Sequence, residues 1–92
     1  MSYVLITADF PGVTSEQRKE IYECLELKNV TKVHEAHRDI DTVWTAYFPD
    51  DVAEIDSINS IIMIFEDCSK SYCKPKLVMQ WGPHRPTRYG LV

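Results

Sequence analysis

Asp9 closes a run of strand-forming residues, "YVLITAD", and stands directly before Phe10, Pro11 and Gly12. A carboxylate at the end of a strand bound for a core has two uses. It can accept backbone N–H bonds and start its own turn. Alternatively, paired across a two-fold axis with Asp9 of a second copy, it can present oxygens to one hydrated Mg2+, which takes few protein ligands and keeps its waters for phosphate. A metal held in this way polarises a phosphoryl oxygen or lowers the pKa of a bound water. Asp9 is therefore the candidate catalytic and Mg2+-binding residue. His34 and His37 are three apart, so in a strand they point to opposite faces and do not chelate one ion together. His34 alone is a candidate proton carrier near neutral pH, and the alternative is a polar surface strand. In "HRPTRY", His84, Arg85 and Arg88 can hold phosphate while Tyr89 stacks a base; a tail packed or frayed at the surface is the alternative. Ser15 and Cys24 have no base beside them in sequence, and glycines at 12, 82 and 90 cannot form a phosphate-cradling loop.

The elements that must position these residues follow from periodicity. "YVLITADF" reads as a central strand buried on both faces. Pro11 and Gly12 suit the middle of a type II turn. Thr14 or Ser15 can cap the next helix, and Gln17 lies three residues beyond Thr14, as a capping box requires. Ile21, Cys24 and Leu25 then share one helical face. "VTKVHEAHR" and "DTVWTAYF" read as strands joined by "DID" at 39–41 as a polar turn. Trp44, Ala46 and Phe48 share one side of the second strand; Val43, Thr45 and Tyr47 share the other. Asp51 and Glu54 have capping-box spacing ahead of a long helix whose stripe is Val52, Ile55, Ile58, Ile62 and Phe65, with Ser69 a candidate to extend it, widened by Ile61 and Ile64. Pro75 ends that region, and "KLVMQW" is a last strand.

The order β-α-β-β-α-β predicts an α+β fold, the ferredoxin-like sandwich. Its antiparallel sheet has strand order 4-1-3-2, with two helices on one face. Residues 1–82 form the domain and 83–92 an irregular tail. Tyr3 or Leu5, Val43, Tyr47 and Val78 are candidates for the uncovered face. An exposed apolar face of this kind marks an oligomer interface, so a homodimer through it is expected.

Size and composition bound the rest. Ninety-two residues suit one domain with a modest core. No apolar run nears the roughly 20 residues that cross a bilayer, and the start lacks the pattern of a signal peptide. Three cysteines, an odd number, argue against a disulfide scaffold and for a reducing cytoplasm; without a CxxC, zinc is not expected. The net charge of −4 hides a division. Residues 1–67 hold all 14 acids against five basic residues, whereas 68–92 hold five basic residues and no acid. The C-terminal quarter is thus a candidate anion-binding end.

With "ADFPG" closing its first strand, the chain resembles the GhoS-type antitoxin endoribonucleases. Its threonine-rich third strand leading into a helix with "EIDSI" and its aromatic "TRYGLV" ending are also similar. Those proteins are akin to the Cas2-like nucleases, whose first strand likewise ends in an aspartate. The resemblance implies cleavage of a messenger RNA that encodes a small membrane toxin, with Asp9 as the residue carried over. The acidic first helix would repel RNA, since phosphate neutralisation supplies most of the affinity for nucleic acid. The expectation is a cytoplasmic protein that binds or cleaves single-stranded RNA. The alternatives are a non-catalytic protein-interaction module using the open sheet face or tail, and a small-molecule enzyme of the dimeric α+β barrel kind with Trp44, Trp81 and histidines lining a cleft.

Overall fold

The computed structural model of the chain describes the backbone of residues 1–35 and 38–87, and the side chains of 1–33 and 42–87. Its elements are β1 (Ser2–Asp9), α1 (Ser15–Leu27), β2 (Thr31–Glu35), β3 (Arg38–Phe48), α2 (Glu54–Ser69) and β4 (Lys76–Gly82). The strands form one antiparallel sheet in the order β2-β3-β1-β4, which is 4-1-3-2 read from the other edge. This is the ferredoxin-like α+β fold. Ile21 and Leu25 of α1 and Ile61 and Phe65 of α2 pack with Val4, Ile6 and Ala8, so both helices cover the same sheet face.

Local chemistry explains the path from β1 into α1. Gly12 has φ +75°, the left-handed value that the second central residue of a type II turn needs. Thr14 then caps α1: its hydroxyl accepts from the Gln17 amide at 3.1 Å, and the Gln17 side chain accepts from the Thr14 amide at 3.0 Å. The helix closes in a Schellman turn. Asn29 sits at φ 64°, and the amides of Asn29 and Val30 donate at 3.0 Å to the carbonyls of Glu26 and Leu25. Val30 thereby drops into the core, 1% exposed.

The core is aromatic at its centre. Trp44 meets Phe10, Tyr22 and Phe65 edge-on, with ring centroids 5.9, 5.3 and 5.7 Å apart. Each such pair adds about 0.5–1.5 kcal/mol beyond the area it buries. Phe10, next to the candidate Asp9, is therefore an anchor that fixes where β1 ends.

Several expectations are corrected. β1 is not buried on both faces: Val4, Ile6 and Ala8 are buried, Tyr3 and Leu5 are half-covered, and Thr7 and Asp9 are exposed. "DID" is not a turn but part of β3, which starts at Arg38 opposite Glu35. The β2–β3 register slips between Lys32–Trp44 and His34–Asp39, and Thr42 bulges out there with φ 69°. Asp51 does not cap α2; the cap is Ala53, whose side chain bonds nothing, and the helix ends at Ser69 rather than near Pro75. The buried side of α2 is Ser57, Ile61, Phe65 and Cys68, whereas Ile55 is exposed. Ser57 and Ser69 tolerate burial because their hydroxyls donate to carbonyls four residues back. Finally, Cys24 and Cys68 are joined in a disulfide between the two helices, leaving Cys73 as the free thiol. The odd count hid a pair that only helix packing brings together.

Candidate nucleic-acid interface

The face opposite the helices is built from the odd-numbered residues of β1 and their register partners. Tyr3 lies opposite Tyr47, Leu5 between Thr45 and Gln80, Thr7 between Val43 and Val78, and Asp9 opposite Lys76. β2 adds Thr31 opposite Thr45. All five residues expected on the uncovered face are there. It is open: Tyr47 is 61% and Val78 72% exposed.

Asp9 ends β1 at one rim of this face. Among the described residues its carboxylate accepts no hydrogen bond and makes no ion pair, so it does not tie down the loop that follows it. The turn is made by Gly12 and the Thr14 cap instead. Lys76 stands directly across the strand pair. Burial first, and the Asp9 carboxylate second, push the Cys73 thiol above its ordinary value, so Cys73 is a neutral thiol near neutral pH. Among the described residues no group of three or more His, Cys, Asp and Glu could hold a metal. One chain thus supplies a single carboxylate, faced by an ammonium group, and this donor set does not make a magnesium site by itself.

His34 lies in β2 opposite Asp39, beyond the register slip and toward the same rim as Asp9. Its side chain, like all of His37, Arg88 and Tyr89, lies outside the described residues. His84 and Arg85 follow β4 and are exposed. Gly82 pairs with Tyr3, so the tail leaves the sheet at the end opposite Asp9. Six residues of β1 at about 3.3 Å each separate the two ends by roughly 20 Å. Asp9 and the tail bases therefore do not converge on one phosphate. They bracket a face.

The tail then returns to that face. Arg85 and Pro86 line a cavity of about 390 Å³ with Met1, Tyr3, Asn29, Thr31, Lys32, Val33, Thr45, Ala46 and Tyr47. It has two tyrosines and two basic side chains, and no carboxylate lines it. The Lys32 ammonium is turned to the other side, 3.9 Å from the centre of the Tyr22 ring. A smaller cavity of about 300 Å³ lies there, between α1 and β2, with Glu23 and Glu26 in its wall.

Sequence reasoning put Tyr3 and Tyr47 on the open face but read them as interface material. That they stand side by side is set by the β1–β3 register. No family model, no curated protein and no solved structure matches the chain.

Proposed function

We propose that the protein binds single-stranded RNA along the helix-free face of its sheet. The observation that carries this reading is the adjacent pair Tyr3–Tyr47 on that face, lining one cavity with Arg85. Exposed aromatic rings on a sheet offer flat surfaces for unstacked bases, and stacking tolerates any sequence because every base has a π-face. Thr7, Thr31, Thr45 and Gln80 add donors and acceptors along the same surface. A strand running from the tyrosines along β1 reaches the rim where Asp9 stands. RNA carries its own 2′-OH nucleophile, so positioning at that rim would accelerate cleavage, with the Asp9 carboxylate able to take the 2′-OH proton and water to protonate the departing 5′-oxygen.

The test is fluorescence anisotropy of a labelled unstructured RNA with wild-type protein and Tyr47→Ala. A stacked base is worth about 1–3 kcal/mol, so the variant is expected to bind roughly 5- to 150-fold more weakly. Tyr47 is 61% exposed, so the fold survives its loss. Equal affinity of the two proteins refutes the reading.

A second reading has its own support. Tyr47 and Val78 are large exposed apolar residues on one face, which also suits a protein partner, first of all a second copy of the chain. Light scattering that gives twice the chain mass, together with no RNA binding, favours this reading over the first.

A further inference from the structure

We propose that the cavity between Tyr3, Tyr47 and the returning tail seats one nucleotide, with its base against the tyrosines and its phosphate on Arg85. The assignment rests on the RNA reading above and specifies what the site at the tail end of the face holds. Its first support is charge. The chain has 14 acidic residues and a net charge of −4, yet no acid lines this cavity. Arg85 makes no ion pair among the described residues, so its guanidinium is available to an anion. A planar guanidinium offers two parallel N–H groups to one phosphate.

The second support is the character of the walls. Tyr3 and Tyr47 supply ring faces, and Thr31 and Thr45 are register partners on the same side of the sheet. Neither threonine hydroxyl is engaged among the described residues, which leaves both for a sugar hydroxyl or a base edge. The third support is size. About 390 Å³ lies near the lower end of the range for small-ligand pockets, roughly 300–1,000 Å³, and suits one nucleotide rather than a folded partner.

The geometry also sets a polarity. The base lies on the sheet, and the phosphate lies toward the tail, away from Asp9. The rest of a bound strand then has only one way to run, across Leu5 and Thr7 toward the Asp9 rim.

The experiment is NMR titration of the 15N-labelled full chain with AMP, adenosine, inorganic phosphate and a short oligoadenylate. AMP is expected to move the amide signals of Tyr3, Thr31, Thr45, Tyr47 and Arg85, with a dissociation constant on the order of a millimolar. Adenosine or phosphate alone should bind at least about tenfold more weakly, because each keeps half of the contacts. Arg85→Gln, at an exposed position, should weaken AMP at least about tenfold and leave adenosine unchanged. Tyr47→Phe should retain binding and Tyr47→Ala should lose it. If the oligoadenylate binds but AMP moves none of these signals, the nucleotide seat is wrong and the RNA reading stands. If AMP fills the cavity but the oligoadenylate binds no more tightly than AMP, the seat stands and the RNA reading falls. AMP shifts confined to other residues, or an Arg85→Gln variant that binds AMP as the wild type does, overturn the assignment.

Discussion

The Cys24–Cys68 bond ties the last turn of α1 to the last turn of α2 across a sequence separation of 44 residues. Opening it returns to the unfolded chain the freedom of a loop of that length. With an entropy of about −2.1 − 1.5R ln n, 44 residues correspond to roughly 13 cal/mol/K, or about 4 kcal/mol at 25 °C. A domain of this size has about 5–14 kcal/mol of stability in all, so the bond is a large fraction of it. The assay is urea unfolding followed by circular dichroism, for the protein purified without reductant, the same protein reduced, and Cys24→Ala. The reduced protein should unfold at distinctly lower urea, and so should Cys24→Ala. Curves for the oxidised and reduced protein that coincide within about 0.5 kcal/mol refute the reasoning. So does a count of three alkylatable thiols, rather than one, after unfolding the unreduced protein. The bond lies on the helical side of the sheet and the tyrosine pair on the other. Below the unfolding transition, reduction should therefore leave RNA affinity unchanged.

Thr14→Ala removes the hydroxyl that caps α1 and should cost about 1 kcal/mol in urea unfolding; Thr14→Ser should restore most of it. The raised Cys73 thiol should react with iodoacetamide only at higher pH than a free thiol, and Asp9→Asn should lower the midpoint part of the way, because burial is the larger cause. An unchanged midpoint in Asp9→Asn would separate the carboxylate from the thiol. Since the folded thiol titrates above the unfolded one, this group's contribution to stability is full below the ordinary thiol range and falls as pH rises through the folded value. Val78→Glu, at a 72% exposed position, should change stability by less than about 0.5 kcal/mol. The same substitution should weaken RNA binding by repulsion, or dissociate a dimer if light scattering shows one.

What could be read from sequence was local. The Thr14–Gln17 cap, the Pro11–Gly12 turn and the alternation from Val43 to Phe48 each depend on a few neighbouring residues, and all are as expected. The hairpin was misplaced because "DID" carries turn chemistry. In the structure it lies in β3 past the last β1–β3 pair, Thr7–Val43, and is held by pairing with β2, where His34 lies opposite Asp39. The phase of α2 was misread because isoleucines occur on several sides of the helix, so spacing alone does not choose a face. Buried Ser57, which bonds to its own backbone, then filled a place the hydrophobic pattern assigned elsewhere, whereas Ser69 is buried where the stripe would end. Asp9 was visible as a residue, but Lys76 and Cys73 beside it come only with strand pairing and helix docking. The return of Arg85 to Tyr3 and Tyr47 depends on where β4 ends, which no local signal states.

The acidic balance of the chain, which argues against RNA when read as one number, looks different once distributed. Eight carboxylates belong to the two helices: Glu16, Glu20, Glu23, Glu26, Glu54, Asp56, Glu66 and Asp67. Among the residues of β1, β3 and β4 whose side chains are described, the one acid on the opposite face is Asp9, which has Lys76 across from it in register. Eight of the 14 carboxylates therefore lie on the side where RNA would not bind, and at moderate salt their repulsion is screened over about 10 Å. The attraction is small, because among the described side chains Arg85 and Lys76 are the cations that flank the face. Two neutralised phosphates predict a slope of about −1.4 in log affinity against log salt for a single strand. Binding on this face is thus mainly stacking, weak but tolerant of salt. Affinity that collapses with a slope steeper than about −3 would mean four or more phosphate contacts. The described side chains of the tyrosine face do not include that many cations, and such a slope would bring in cations beyond them.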